Sequence, residues 1–72
     1  MLTISFSRSD VSLLLEIRRR QTKVSQERLA TRLGVTRHVY RQVISTKREP
    51  NQRTLRFLNV QRSSRGYCMK VR

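Results

Sequence analysis

The chain has 72 residues, with 17 Lys and Arg against 4 Asp and Glu, and a formal charge of +13. That length holds one domain with a small core, marginally stable alone, and no apolar run approaches the roughly 20 residues that span a bilayer. The charge exceeds what solubility requires and points to a polyanionic partner, with nucleic acid leading because the charge is spread along the whole chain and is mostly Arg, which matches phosphate bidentately and also reads guanine.

Leu2, Ile4 and Phe6 alternate with Thr3, Ser5 and Ser7, the period of a half-buried strand, so a short N-terminal strand is expected within residues 1–8. The opening Met1-Leu2-Thr3-Ile4-Ser5-Phe6 lacks the charged region and long apolar segment of a signal peptide, and a cytoplasmic, nucleoid-associated location is expected. Ser9 and Asp10 offer a cap and a first-turn carboxylate to a helix running to about Arg20, with Val11, Leu14 and either Ile17 or Leu13 turned inward. Arg18, Arg19 and Arg20 suit a helix carboxyl end, where they either reach phosphate or form a solvated basic face. Gln21, Thr22 and Lys23 make the loop, Val24 a hydrophobic staple and Ser25 the next cap.

Residues 26–33 place Leu29, Ala30 and Leu33 on one helical face, and Gly34 ends that helix where a left-handed residue is wanted. Val35 returns to the core and Thr36 caps a third helix over about residues 36–45. In it Val39 or Tyr40, then Val43 and Ile44, recur at helical spacing, leaving Arg37, His38, Arg41 and Gln42 outside. Two helices joined by so tight a turn need a small residue at their crossing, here Ala30. The spacing predicts a helix-turn-helix. Pro50 and Asn51 then open a fourth helix carrying Leu55, Phe57 and Leu58, which ends near Asn59. Ser63, Ser64, Arg65 and Gly66 read as a turn, and Tyr67, Met69 and Val71 as a second strand. Two strands are too few for an independent sheet, so they must pair with each other or with a second subunit. Cys68, the single cysteine, cannot form an internal disulfide, and with only His38 beside it in the inventory no metal site is expected.

The run of Gln26, Leu29-Ala30, Leu33-Gly34-Val35 and Thr36 resembles the helix-turn-helix of the lambda-repressor-like family, the Cro and repressor type. Lys47-Arg48-Glu49-Pro50 and Thr54-Leu55 are similar to that family's basic turn, proline and following helix, so the likeness covers about residues 9–60. It implies a mainly α fold, a four-to-five-helix lambda-repressor-like bundle with short N- and C-terminal β-strands, as one domain over residues 1–72. The sequence departs from the family at Thr46, where Gly is usual, and at Tyr40, where an aliphatic residue is common. By resemblance to Cro-like proteins, a homodimer joined through the C-terminal strand, helix 4 or both is expected.

An α-helix fits the major groove, and residues near its amino end reach base edges first. Arg37, His38, Arg41 and Gln42 are therefore the expected base readers. Gln26 at a helix amino end, Thr36, Ser45, Lys47, Arg48 and Arg53 are the expected phosphate contacts. The expected function is a sequence-specific transcriptional regulator, a repressor on an inverted-repeat operator. The alternatives are a nonspecific nucleoid or RNA binder and an autorepressing antitoxin-type module. No enzyme is expected, since the sequence has no carboxylate pair at a useful spacing, no activated Ser or Cys setting and no glycine-rich phosphate loop. Neither a cofactor nor a small-molecule ligand is expected.

Overall fold

The computed structural model describes residues 2–71, in the order β1 (Leu2–Phe6), α1 (Arg8–Thr22), α2 (Gln26–Arg32), α3 (Arg37–Ile44), α4 (Gln52–Leu58), β2 (Gln61–Ser63) and β3 (Gly66–Val71). Every helix starts on a side-chain cap. Ser7, Ser25, Thr36 and Asn51 sit in extended backbone and accept from the amides of Asp10, Arg28, Val39 and Thr54, each satisfying a donor that a helix start leaves without a partner. At α1 the cap is a reciprocal box: the Asp10 amide reaches Ser7 Oγ at 3.1 Å, and the Ser7 amide reaches the Asp10 carboxylate at 2.9 Å. The cap therefore lies two residues before the expected one at Ser9, and the helix continues through Gln21 and Thr22, which were expected in the loop.

Left-handed residues end the helices. At α2 the Val35 amide returns to the Ala30 carbonyl at 3.0 Å around Gly34 (φ +77°); at α3 the Lys47 amide returns to Gln42 at 2.9 Å around Thr46 (φ +63°). At α4 the Val60 amide returns to Leu55 at 2.9 Å around Asn59 (φ +59°). All three are Schellman closures, which satisfy terminal carbonyls and turn the chain sharply. Only the first uses glycine. Thr46, β-branched and left-handed, retains the family's backbone without the family's residue, at a steric cost of about 1–2 kcal/mol.

The core is built from Val11 and Leu15 of α1, Leu29 and Ala30 of α2, Leu33, Tyr40 and Val43 around the turn and α3, and Leu55, Leu58, Val60 and Tyr67. Tyr40, not Val39, is the deep residue of α3. The buried stripe of α1 is rotated from the expected one: Leu15 replaces Ile17 or Leu13, Leu14 is half-buried, and Leu13 and Ile17 are 62% and 43% exposed. Ser12 belongs to that stripe because its hydroxyl donates to the Val43 carbonyl at 2.6 Å, which pins α1 to the end of α3.

The strands form one antiparallel sheet in the order β1-β3-β2. Register pairs Leu2 with Val71, Ile4 with Met69 and Phe6 with Tyr67, so these side chains share one face, the face that packs on α1. The terminal strands thus pair with each other. β2 was not expected, since Gln61, Arg62 and Ser63 are polar, exposed and without alternation; it pairs only with residues 66–68 through the turn at Ser64 and Arg65. β3 lies between two neighbours, which leaves β1 as the long open edge.

Candidate nucleic-acid interface

α2 and α3 are joined by the bend at Gly34, whose positive φ lets the Val35 amide return to the carbonyl of the buried Ala30 at 3.0 Å. The outer face of α3 follows from the inner one. With Tyr40 and Val43 buried, helical spacing leaves Arg37, His38 and Arg41 exposed, and no carboxylate stands in the first turn. His38, Arg41, Gln42, Ser45 and Lys47 line a single surface cleft, so three of the expected base readers and two of the expected phosphate contacts come together. Arg37 sits at the first position of α3, outside that cleft. Thr36 is exposed and its hydroxyl is occupied as the cap, accepting from the Val39 amide at 3.2 Å.

Gln42 is half-buried and its Oε1 accepts from Arg48 Nε at 3.0 Å, so the amide and the guanidinium hold each other at the rim. Ser45 donates to the Gln42 carbonyl at 3.2 Å. Gln26 is half-buried and turned inward, its Nε2 lying 3.5 Å from Glu16 Oε1. Arg53 lies in a different cleft, with Leu33, Gly34, Asn51, Gln52 and Arg56, where its guanidinium lies beside Gly34, in the space a Cβ there would need. The structure does not bring Arg53 to the α3 cleft.

Sequence reasoning missed what holds α3 in place. Glu16 Oε1 accepts from the Tyr40 hydroxyl at 2.7 Å and from Arg19 Nε at 3.0 Å, while Oε2 accepts from Arg19 Nη2 at 2.9 Å. Arg19 also donates through Nη1 to the Val24 carbonyl at 2.8 Å, joining α1 to the loop before α2. The bidentate Arg19 contact, against the opposing effect of burial and with help from Tyr40, holds the Glu16 carboxyl below its usual range. Burial first, and then the adjacent Glu16 carboxylate, push the Tyr40 hydroxyl well above its ordinary pKa. Arg19 is thus an internal clamp rather than a phosphate ligand or part of a solvated face. The available signal was Glu16, the only acid among the charged residues between Asp10 and Glu27.

Of the other cations, Arg8 and Arg62 approach Glu49 at 2.9 and 3.8 Å, and Arg20 approaches Glu16 at 3.9 Å. Among the described residues Arg18, Arg28, Arg32, Arg37, Arg41, Lys47, Arg53 and Arg56 make no ion pair, so their fields act outward. Among the same residues no three His, Cys, Asp or Glu side chains gather as a metal site, and no helix is long and apolar enough to cross a membrane.

A helix-turn-helix family model matches residues 14–59, which contain α2, the bend, α3, α4 and most of α1. No curated protein and no solved structure matches the chain. The geometry and the family match agree over the same stretch: the chain belongs to the lambda-repressor-like helix-turn-helix family of DNA-binding regulators.

Proposed function

We propose that the protein is a sequence-specific repressor that binds an inverted-repeat operator as a homodimer, with α3 of each copy in the major groove. The observation that carries this reading is the outer face of α3, where Arg37, His38 and Arg41 are exposed and free of carboxylates while the opposite face is locked into the core. Arg37 and Arg41 read guanine edges, and His38 and Gln42 add contacts. Lys47 and Arg48, on the loop after α3, hold the sugar-phosphate backbone along with Ser45, and Thr36 meets it from the start of α3, whereas the Gln26 side chain is turned to Glu16. Such a dimer requires half-sites about one helical turn apart, roughly 34 Å. Its setting is cytoplasmic, on the nucleoid.

Selection of duplexes from a random pool, with the stoichiometry of the bound species, tests this reading. A palindromic consensus bound by two chains is the expected result. With about five phosphate contacts per copy, log affinity falls by about 0.9 per contact for each tenfold rise in salt. Arg18, Arg65 and Lys70 are exposed or partly so and lie away from the α3 cleft, which favours a second reading, a sequence-independent polyanion binder. A pool that emerges without a consensus selects that reading.

A further inference from the structure

Residues 2–7 carry no charge in a chain with a formal charge of +13, and they supply β1 and the cap of α1. β1 is bonded to β3 on one side from Leu2 to Phe6, and its outer edge has no partner among the described residues. Nothing guards that edge: it holds no Lys and no Pro, and its register with β3 runs without a bulge. The exposed large hydrophobic residues gather beside it. Leu2 is 72% and Ile4 45% exposed on the strand face that continues to Phe6, and Phe6 lines one cleft with Leu13, Leu14 and Ile17 of α1.

The exposed stripe of α1 has a further property. Asp10, Leu13, Ile17 and Arg20 follow one another at helical spacing on one face, with an acid at one end, a base at the other and two apolar residues between. Two such stripes laid antiparallel bring Asp10 of each against Arg20 of the other.

We infer that this face joins two copies of the chain: the β1 strands pair antiparallel across a two-fold axis, extending the sheet, and the α1 stripes meet side by side beneath it. The inference rests on the homodimer reading above and places the contact at β1 and α1 instead of at the C-terminal strand or α4. A second copy fits better than another partner for three reasons. A surface that must meet its own copy in so basic a chain is best left without net charge, and this one pairs one acid, Asp10, with one base, Arg20, beside an uncharged strand. An acidic partner finds its counter-charges on the Arg-bearing faces elsewhere. The stripe is also self-complementary, as a two-fold contact requires. Such a contact covers Leu2, Ile4, Leu13 and Ile17, the large hydrophobic side chains left exposed among the described residues.

Sedimentation of the full chain without DNA, at high salt to screen the net charge, tests the inference together with Ile4→Lys and Ile17→Lys. The native chain is expected at twice its 8.6 kDa mass. Each Lys variant is expected to dimerise at least about thirtyfold more weakly, because it places a charge in the apolar contact of both copies. Both positions are exposed, so helical circular dichroism stays native. A duplex holding one half-site is bound equally by native and variant chains, whereas failure there indicts the DNA reading and not the contact. In the native dimer the β1 amides are protected from hydrogen exchange, and dilution removes that protection. A native chain that sediments as a monomer overturns the inference. So does native-strength dimerisation of the Lys variants, or an Arg56→Glu change on α4 that separates the copies while Ile4→Lys does not.

Discussion

Tyr40 of α3 donates its hydroxyl to the Glu16 carboxylate of α1 at 2.7 Å, beneath the face on which Arg37 and Arg41 stand. The helix that carries the expected readout is thereby fixed by a charge-assisted bond at its midpoint, and Arg19 completes the pair from the other side of the carboxylate. Tyr40→Phe is expected to cost about 1.5–3 kcal/mol, the usual value of a hydrogen bond to a charged group. Urea unfolding at neutral pH measures it, and an unchanged midpoint would show the bond to be energetically idle.

The same carboxylate makes stability depend on acid. Its folded pKa is depressed, chiefly by Arg19, so it binds protons less readily when folded than when unfolded. The stability it contributes is therefore present above the usual carboxylate pKa and is lost as pH falls through the lower folded value. Asp10, held below its usual pKa chiefly by the Ser7 amide, acts with the same sign. The unfolding midpoint is expected to be level near neutrality and to fall in the acid range. Glu16→Gln is expected to flatten that fall in part, and Glu16→Gln with Asp10→Asn to flatten it further. An acid slope identical in all three proteins would contradict this assignment.

Gly34 and Thr46 occupy equivalent left-handed positions with different residues, and opposite substitutions are expected to have opposite signs. Gly34→Ala places a Cβ at φ +77°, 2.7 Å from Arg53 Nη1. The guanidinium is a flexible end that swings aside, so the loss of about 1–2 kcal/mol comes from the backbone. It should therefore persist in an Arg53→Ala background. If Arg53→Ala cancels the loss, the contact and not the conformation was the cause.

Thr46→Gly relieves a β-branched residue at φ +63° and is expected to stabilise the fold by about 1 kcal/mol. The gain is reduced by the freedom glycine adds to the unfolded chain and by the loss of the Thr46 hydroxyl contact to the Ser45 carbonyl. Denaturant unfolding with an unchanged slope checks it. A lower midpoint would show that the hydroxyl outweighs the strain.

At the proposed DNA face, Arg41→Ala is expected to lower the preference for the selected duplex over an unrelated one by about 1–3 kcal/mol. Lys47→Ala is expected to weaken both duplexes alike and to reduce the salt slope by about one contact. Paired titrations on the two duplexes separate the roles, and an equal loss on both from Arg41→Ala would remove it from the readout.

Local chemistry wrote much of this molecule into its sequence. The caps at Ser25, Thr36 and Asn51, the bend at Gly34 and the two terminal strands depend on neighbours a few residues away, and they stand in the structure where the residues indicate, although Leu2 and Ile4 of the first strand are exposed and not half-buried. The exposed face of α3 was legible for the same reason, since helical period separates Arg37, His38 and Arg41 from Tyr40 and Val43. What touches what across the chain was decided only by the tertiary fold. Periodicity alone allows α1 several inward stripes. The sheet and α3 chose the one through Leu15 and Ser12, leaving Leu13 and Ile17 outside. Likewise Arg18, Arg19 and Arg20 are indistinguishable as a charge run, yet the position of Glu16 beside Tyr40 turns Arg19 into an internal clamp and leaves Arg18 without an ion pair among the described residues. β2 is polar throughout and exists because a tight turn lays it along β3, a pairing to which its own residues give no periodic signal.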